Sequence, residues 1–241
     1  GFWWSGTLLA AAAFVIYGLV VTSPEGQQAP REKAANQAPS MLPGLKIPAA
    51  WILALSFAGY NFVAISFGTW APSFYQERFG LEAGLAGFYA SLVFLVAGFM
   101  VVIAGKVLDQ VRNRYQILLI SVVLTGLIYS CAFLLGSPGL SVPYVIGVAC
   151  ISSFYPPSVF TVAPETMPSP ELAGVAMGVV NVGANIGALL GPPLVGFAVN
   201  AGGNWSYGSL PLAGAMLVSV VGSFIFAGLV AKSSQTQMQT P

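Results

Sequence analysis

The side chains able to bind or react within the apolar stretches of this sequence are amides and hydroxyls. Asn181 and Asn185 stand four residues apart, Tyr60 and Asn61 are adjacent, and Ser152 opens the run SSFYPPS. Such groups donate and accept hydrogen bonds without changing charge. They suit a polar cavity wall better than proton transfer or covalent catalysis. The chain has no His, which removes the commonest general base and the commonest metal ligand. Its eight basic and seven acidic residues all fall outside the long apolar runs. Cys131 and Cys150 lie in separate apolar blocks and read as packing thiols, with no CxxC or CxxH spacing beside them. No catalytic residue, metal site or cofactor is therefore expected, and the net charge of +1 carries no basic stripe for nucleic acid.

The elements that must position these groups are membrane helices. Apolar residues make up 56% of the chain and charged residues 6%, against roughly 25% charged in a soluble domain. The apolar residues form seven blocks, each near the ~20 residues that a helix needs to cross a ~30 Å hydrocarbon core. They lack the period-2 alternation of barrel strands. The expected fold is an all-α membrane protein with spans at about 4–22, 48–72, 84–105, 115–136, 141–163, 173–200 and 207–231, bounds good to ~2–4 residues. Residues 23–47 are rich in Pro, Gln and charge, a linker composition. The expected domains are a first helix over 1–22, a cytosolic linker over 23–47, a six-helix bundle over 48–231 and a cytosolic tail over 232–241. Residues 7–21 have the apolar character of a signal peptide, but no basic segment precedes them. The favoured expectation is that the chain is a piece continuing upstream.

Loop charge sets an orientation. Arg31, Lys33, Lys46, Lys106, Arg112, Arg114 and Lys232 fall on one side, and Arg78 on the other. The first side is expected to be cytosolic, with the C-terminus inside. Residues 164–172 weaken this, since they hold only Glu165 and Glu171. Trp3, Trp4, Trp51, Trp70, Trp205 and Tyr207 all lie near span ends, where amphipathic rings prefer the headgroup level.

Three spans carry patterned faces. In the sixth, Gly183, Gly187 and Gly191, followed by Pro192, form a stripe that lets another backbone approach closely. Asn181 and Asn185 lie ~140° away on the same helix. This helix is expected to be buried between neighbours, its amides either bonding across helices or walling a polar cavity. In the second span, Ser56, Tyr60, Ala64 and Gly68 share a face with Asn61 at its edge, read as cavity lining or close packing. In the fifth, Pro156 and Pro157 are expected to kink the helix, for packing or to form a site. The turn from Gly105 to Arg114 holds Lys106, Arg112, Arg114 and Asp109. Asp109 could pair with Arg112 or Arg114, or cap a helix N-terminus.

The turn Gly105 to Arg114 is similar to the G-x-x-x-D-[RK]-x-G-[RK]-[RK] signature of the major facilitator superfamily. Gly105, Asp109 and Arg114 fit, while Gln110 and Arg112 depart. The run APETMPSPELAGVAMGVVNVGANIGALLGPPLVG resembles that family's tenth loop and eleventh helix, with Ala173 where many members have Arg. Gly187, Gly191 and Pro192 look like its G-x-x-x-G-P element, here in the helix related by internal repeat, so antiport is not implied. The resemblance covers the whole chain and implies the sixth helix, central loop and C-terminal six helices of a secondary transporter. Tyr60, Asn61, Ser152, Asn181 and Asn185 would contact a small solute. Gly105, Asp109, Arg112 and Arg114 would form a cytosolic gate, and a missing N-terminal half would be the partner across the cavity. A coupling carboxylate, if any, would lie in that half or be Glu165. The alternative is a seven-helix receptor or photoreceptor, but no Lys lies within the last span to hold retinal. A membrane enzyme lacks a nucleophile–base pair.

Overall fold

The computed structural model describes residues 11, 15, 41–111 and 113–239, with side chains to 232. The chain divides into two units, residues 1–40 and 41–241. The predicted first span and most of the predicted linker lie outside the described residues. The second unit is helical, and among its described residues there is no strand. Its helices are α1 (Leu42–Leu45), α2 (Pro48–Phe79), α3 (Ala83–Gln110), α4 (Arg114–Ser130), α5 (Ser141–Ser152), α6 (Tyr155–Val162), α7 (Ala173–Gly202) and α8 (Ser209–Gln239). Five helical segments among the described residues are long and apolar enough to cross a membrane: 48–79, 83–110, 138–166, 170–202 and 205–232. The shorter apolar α4 is a sixth. Phe99, Leu189 and Phe197 are at least 70% exposed, an outward apolar surface that only lipid or another protein can cover. The chain is thus an all-α, multi-pass membrane protein.

Local chemistry explains where the helices stop. Pro48 opens α2 at its first turn, where a missing N–H costs nothing. The sequence suggests an end near Pro72, yet α2 continues to Phe79. That extension buries Phe74 and Tyr75 completely, which outweighs one lost backbone hydrogen bond. Gly80 then ends the helix at φ 66°, donating its N–H to the Gln76 carbonyl at 2.9 Å. Asn113, rather than Asp109, caps α4 by accepting from the Gln116 N–H at 3.3 Å. The predicted kink in the fifth span is a break at Ser153–Phe154 between α5 and α6. Pro156 and Pro157 sit in the first turn of α6, where prolines fit, so the helix restarts rather than bends.

The linker boundary also differs from the expectation. Its last residues fold as the single turn α1, which packs on α7. Gly44 permits this because a Cβ there would press on Val175 at 3.0 Å. The Trp51 indole donates to the Leu45 carbonyl at 2.8 Å and holds the turn to α2.

α2 is the centre of the bundle, packing on α7, α8 and α3. At its C-terminal end Phe74 meets Phe133 and Trp205 with ring centroids 5.4 and 5.7 Å apart, both edge-on. The Trp205 indole donates to Glu77 at 3.0 Å.

Candidate functional site

The α2–α7 pair positions most of the candidate residues. Gly183, Gly187 and Gly191 rest directly on the backbone of Ala54, Ala58 and Phe62. Both sets advance by four residues, so the helices run parallel in a fixed register. A methyl at any of the three glycines would enter a main-chain atom of α2. Farther along, the Trp70 indole donates to the Pro192 carbonyl at 2.8 Å, and its ring covers Gly196.

Asn181 and Asn185 lie on the other face of α7 and are exposed. The sequence suggests a helix covered on both faces. Among the described residues the glycine face is covered by α2, while the Asn face is open. Each amide donates to a carbonyl of its own helix: Asn181 to Met177 at 2.9 Å, and Asn185 to Asn181 at 2.8 Å. One N–H and the carbonyl oxygen of each amide then point outward. Gly174 and Gly178 lie along the same stripe, and a Cβ at either would meet nothing within 4 Å.

Tyr60 and Asn61 are half-buried on α2. The Asn61 amide donates to the Phe57 carbonyl at 3.0 Å, the same local arrangement. Tyr60 stacks on Phe57 with centroids 5.6 Å apart and an 8° interplanar angle, and its ring lies 5.4 Å from that of Tyr155. Ser152 is buried, and its hydroxyl faces those of Tyr60 and Tyr129. The structure therefore brings Tyr60 and Ser152 together, with Ser152 behind the tyrosine. Asn181 and Asn185 form a separate stripe.

A buried hydroxyl cluster lies behind Tyr60 that the sequence reading did not assemble. Ser56 on α2 meets Tyr155 on α6 at 2.6 Å and Ser223 on α8 at 2.7 Å. Ser56 donates to the Ser219 carbonyl, and Ser219 donates back to the Ser56 carbonyl at 2.7 Å. With the Ser56 proton used there, Tyr155 and Ser223 supply the hydrogens for the remaining contacts. The cluster ties three helices together at one level. Its signal in the sequence is the i, i+4 pair Ser219 and Ser223 in a span otherwise apolar.

Gly105 to Gln110, expected as a turn, are the last residues of α3. At that end of the bundle Arg114 pairs with Glu165 at 3.3 Å, and Tyr115 donates to the same carboxylate at 2.6 Å. Arg114 thus engages the segment between α6 and α7 rather than Asp109. Asp109 is exposed at the end of α3. Gly105 is half-buried, with room for a Cβ. Arg112 lies outside the described residues. No group of three His, Cys, Asp or Glu among the described residues is placed to hold a metal ion.

The model of the Major Facilitator Superfamily matches residues 1–192. The chain belongs to this superfamily. Among curated proteins it is similar to the "Hexuronate transporter" of Bacillus subtilis (strain 168), at 25% identity over 234 residues, covering 89% of this chain and 54% of that protein. It is also similar to the "Probable galactarate/D-glucarate transporter GudP" of the same organism, at 27% identity over 165 residues, covering 66% of this chain and 36% of that protein. The chain thus spans about half or less of the length of these relatives.

Proposed function

We propose that this chain is the C-terminal part of a secondary transporter that moves a sugar acid by alternating access, without transforming it. One observation carries the reading. Asn181 and Asn185 present an outward amide N–H and oxygen at membrane depth, beside two glycines that leave the helix face open. An amide turned to lipid would lose hydrogen bonds at a cost of kcal/mol. A polar cavity shared with a second bundle removes that cost and supplies partners for sugar hydroxyls. Tyr60 and Asn61 would extend the wall from α2, with Ser152 orienting the tyrosine. Both similar proteins are named for carboxylated sugars. The cations of the described residues lie in loops and towards helix ends, so the solute carboxylate would meet a positive group outside the described residues. Arg114, Tyr115 and Glu165, with Gly105 and Asp109, would form the cytosolic gate, to which the sequence signature adds Arg112, and the C-terminus would face the cytosol.

The test is uptake of radiolabelled glucuronate by cells expressing the longer reading frame that contains this chain. Uptake should fall at least tenfold in Asn185→Leu at equal membrane abundance. Wild-type uptake in both Asn181→Leu and Asn185→Leu would remove these residues from the solute path.

A further inference from the structure

α7 runs from Ala173 to Gly202 through two consecutive prolines, Pro192 and Pro193. A proline has no N–H, so each leaves the carbonyl four residues earlier without its helical donor. The carbonyls released are those of Ala188 and Leu189. Projected at ~100° per residue, they fall one on either side of the line through Asn181 and Asn185, about one turn beyond Asn185. Leu189 is 75% exposed, so this side of the helix is open among the described residues. Gly187 rests on the Ala58 carbonyl and Gly191 on that of Phe62, which places Ala188 and Leu189 level with Tyr60 and Asn61 of α2. Among the described residues no side chain donates to either carbonyl. The Trp70 indole is spent farther on, at the Pro192 carbonyl, and the two Asn amides are spent farther back.

A carbonyl at membrane depth that meets only lipid loses its hydrogen bonds, and prolines persist in membrane helices where the freed groups meet protein, water or a cavity. Here both carbonyls open beside the outward atoms of Asn181 and Asn185. We propose that the Ala188 and Leu189 carbonyls, released by Pro192 and Pro193, are the hydroxyl-recognising part of the solute site, a neighbouring pair of acceptors for two adjacent hydroxyls of a polyhydroxylated solute. This role rests on the transport reading above and adds a chemical requirement to it. A carbonyl oxygen has no hydrogen to give, so it takes a hydroxyl and repels a carboxylate. The carboxylate end of the solute therefore points away from Pro192. A single metal ion suits the stripe less well. Helix carbonyls point toward the C-terminus, whereas the Asn185 amide reaches back to the Asn181 carbonyl at 2.8 Å, so the oxygens spread along the axis and do not converge. Ala188 follows Asn185 by three residues, ~4.5 Å of rise, a span that neighbouring hydroxyls on one solute can bridge.

The test sets glucuronate and its monodeoxy analogues, each lacking one ring hydroxyl, as competitors of radiolabelled glucuronate uptake by the longer protein. In the unaltered protein at least one analogue should bind about fivefold more weakly than glucuronate, the worth of one neutral hydrogen bond. Pro192→Ala returns an N–H to the Ala188 carbonyl, and Pro193→Ala returns one to the Leu189 carbonyl. Each variant should close the gap for one analogue by weakening glucuronate about fivefold while the analogue itself binds as before. A merely structural proline would weaken both competitors alike. A second readout needs no solute: purified in detergent, each variant should melt several degrees higher, because a helical hydrogen bond is regained. Normal uptake with gaps that survive both variants overturns the acceptor role alone, as does equal binding of glucuronate and every analogue, or a melting point that does not rise in either variant. Failure of the unaltered protein to take up glucuronate overturns the transport reading, and this role with it.

Discussion

Replacing Gly187 by Ala adds one methyl where α7 crosses α2. That methyl would sit 2.7 Å from the Ala58 carbonyl carbon and 3.0 Å from its Cα, and still closer to the carbonyl oxygen. Ordinary van der Waals contact begins near 3.4 Å. The obstructing atoms are main chain, so no rotamer change relieves the clash and the helices must separate. Separation disturbs the flanking contacts at Gly183 and Gly191 and the Trp70–Pro192 hydrogen bond. Overpacking of this kind costs about 1–3 kcal/mol, or a melting point lower by roughly 2–12 °C on the scale of domains of this size. Gly178→Ala is the control. It lies on the Asn face of the same helix, and its Cβ would meet nothing within 4 Å. Exchanging Gly for Ala in a helix interior should there be neutral or stabilising by up to ~1 kcal/mol. Thermal unfolding of the two variants in one detergent is the assay. A melting point for Gly187→Ala equal to that of Gly178→Ala would refute the backbone-contact account of the glycine stripe.

Ser56→Ala removes the centre of the buried hydroxyl cluster and leaves the Ser219 carbonyl without its hydroxyl donor, so stability should fall by about 1–3 kcal/mol. Tyr155→Phe should cost less when Ser56 is already Ala than in the unaltered protein, and a double-mutant cycle of unfolding midpoints measures the difference. Arg114→Gln should change stability by at most ~1 kcal/mol because the Glu165 pair is more than a third exposed. Under the gate reading it should nevertheless alter the uptake rate of the longer protein, and an unchanged rate would assign the pair to structure alone.

The helices were legible because a bilayer demands long uninterrupted apolar runs, and charge at Glu77, Arg78 and Asp109 marks their ends. The glycine stripe was legible because Gly183, Gly187 and Gly191 repeat at helical spacing and small size has one main use between helices. The expected end of the second span near 72 falls short of Phe79, since burial of Phe74 and Tyr75 depends on residues far away in sequence. The hydroxyl cluster was hidden for the same reason: Ser56, Tyr155 and Ser223 come from three distant helices. The Arg114–Glu165 pair was hidden too, because it joins residues 51 positions apart that spacing alone does not connect.

From Gly183 to Gly191 the α2–α7 contact is main chain against glycine, so that stretch contains no long side chains that could flex or change rotamer. A load applied at Asn185 reaches Ala58 through a seam with almost no give, so the two helices behave as one stiff beam. Sliding along that beam is also stepwise, since glycine meets carbonyl again only after four residues, about 6 Å. The hydroxyl cluster fastens the start of α6 to that beam as well, since Tyr155 meets Ser56 on α2 at 2.6 Å just past the break at Ser153–Phe154.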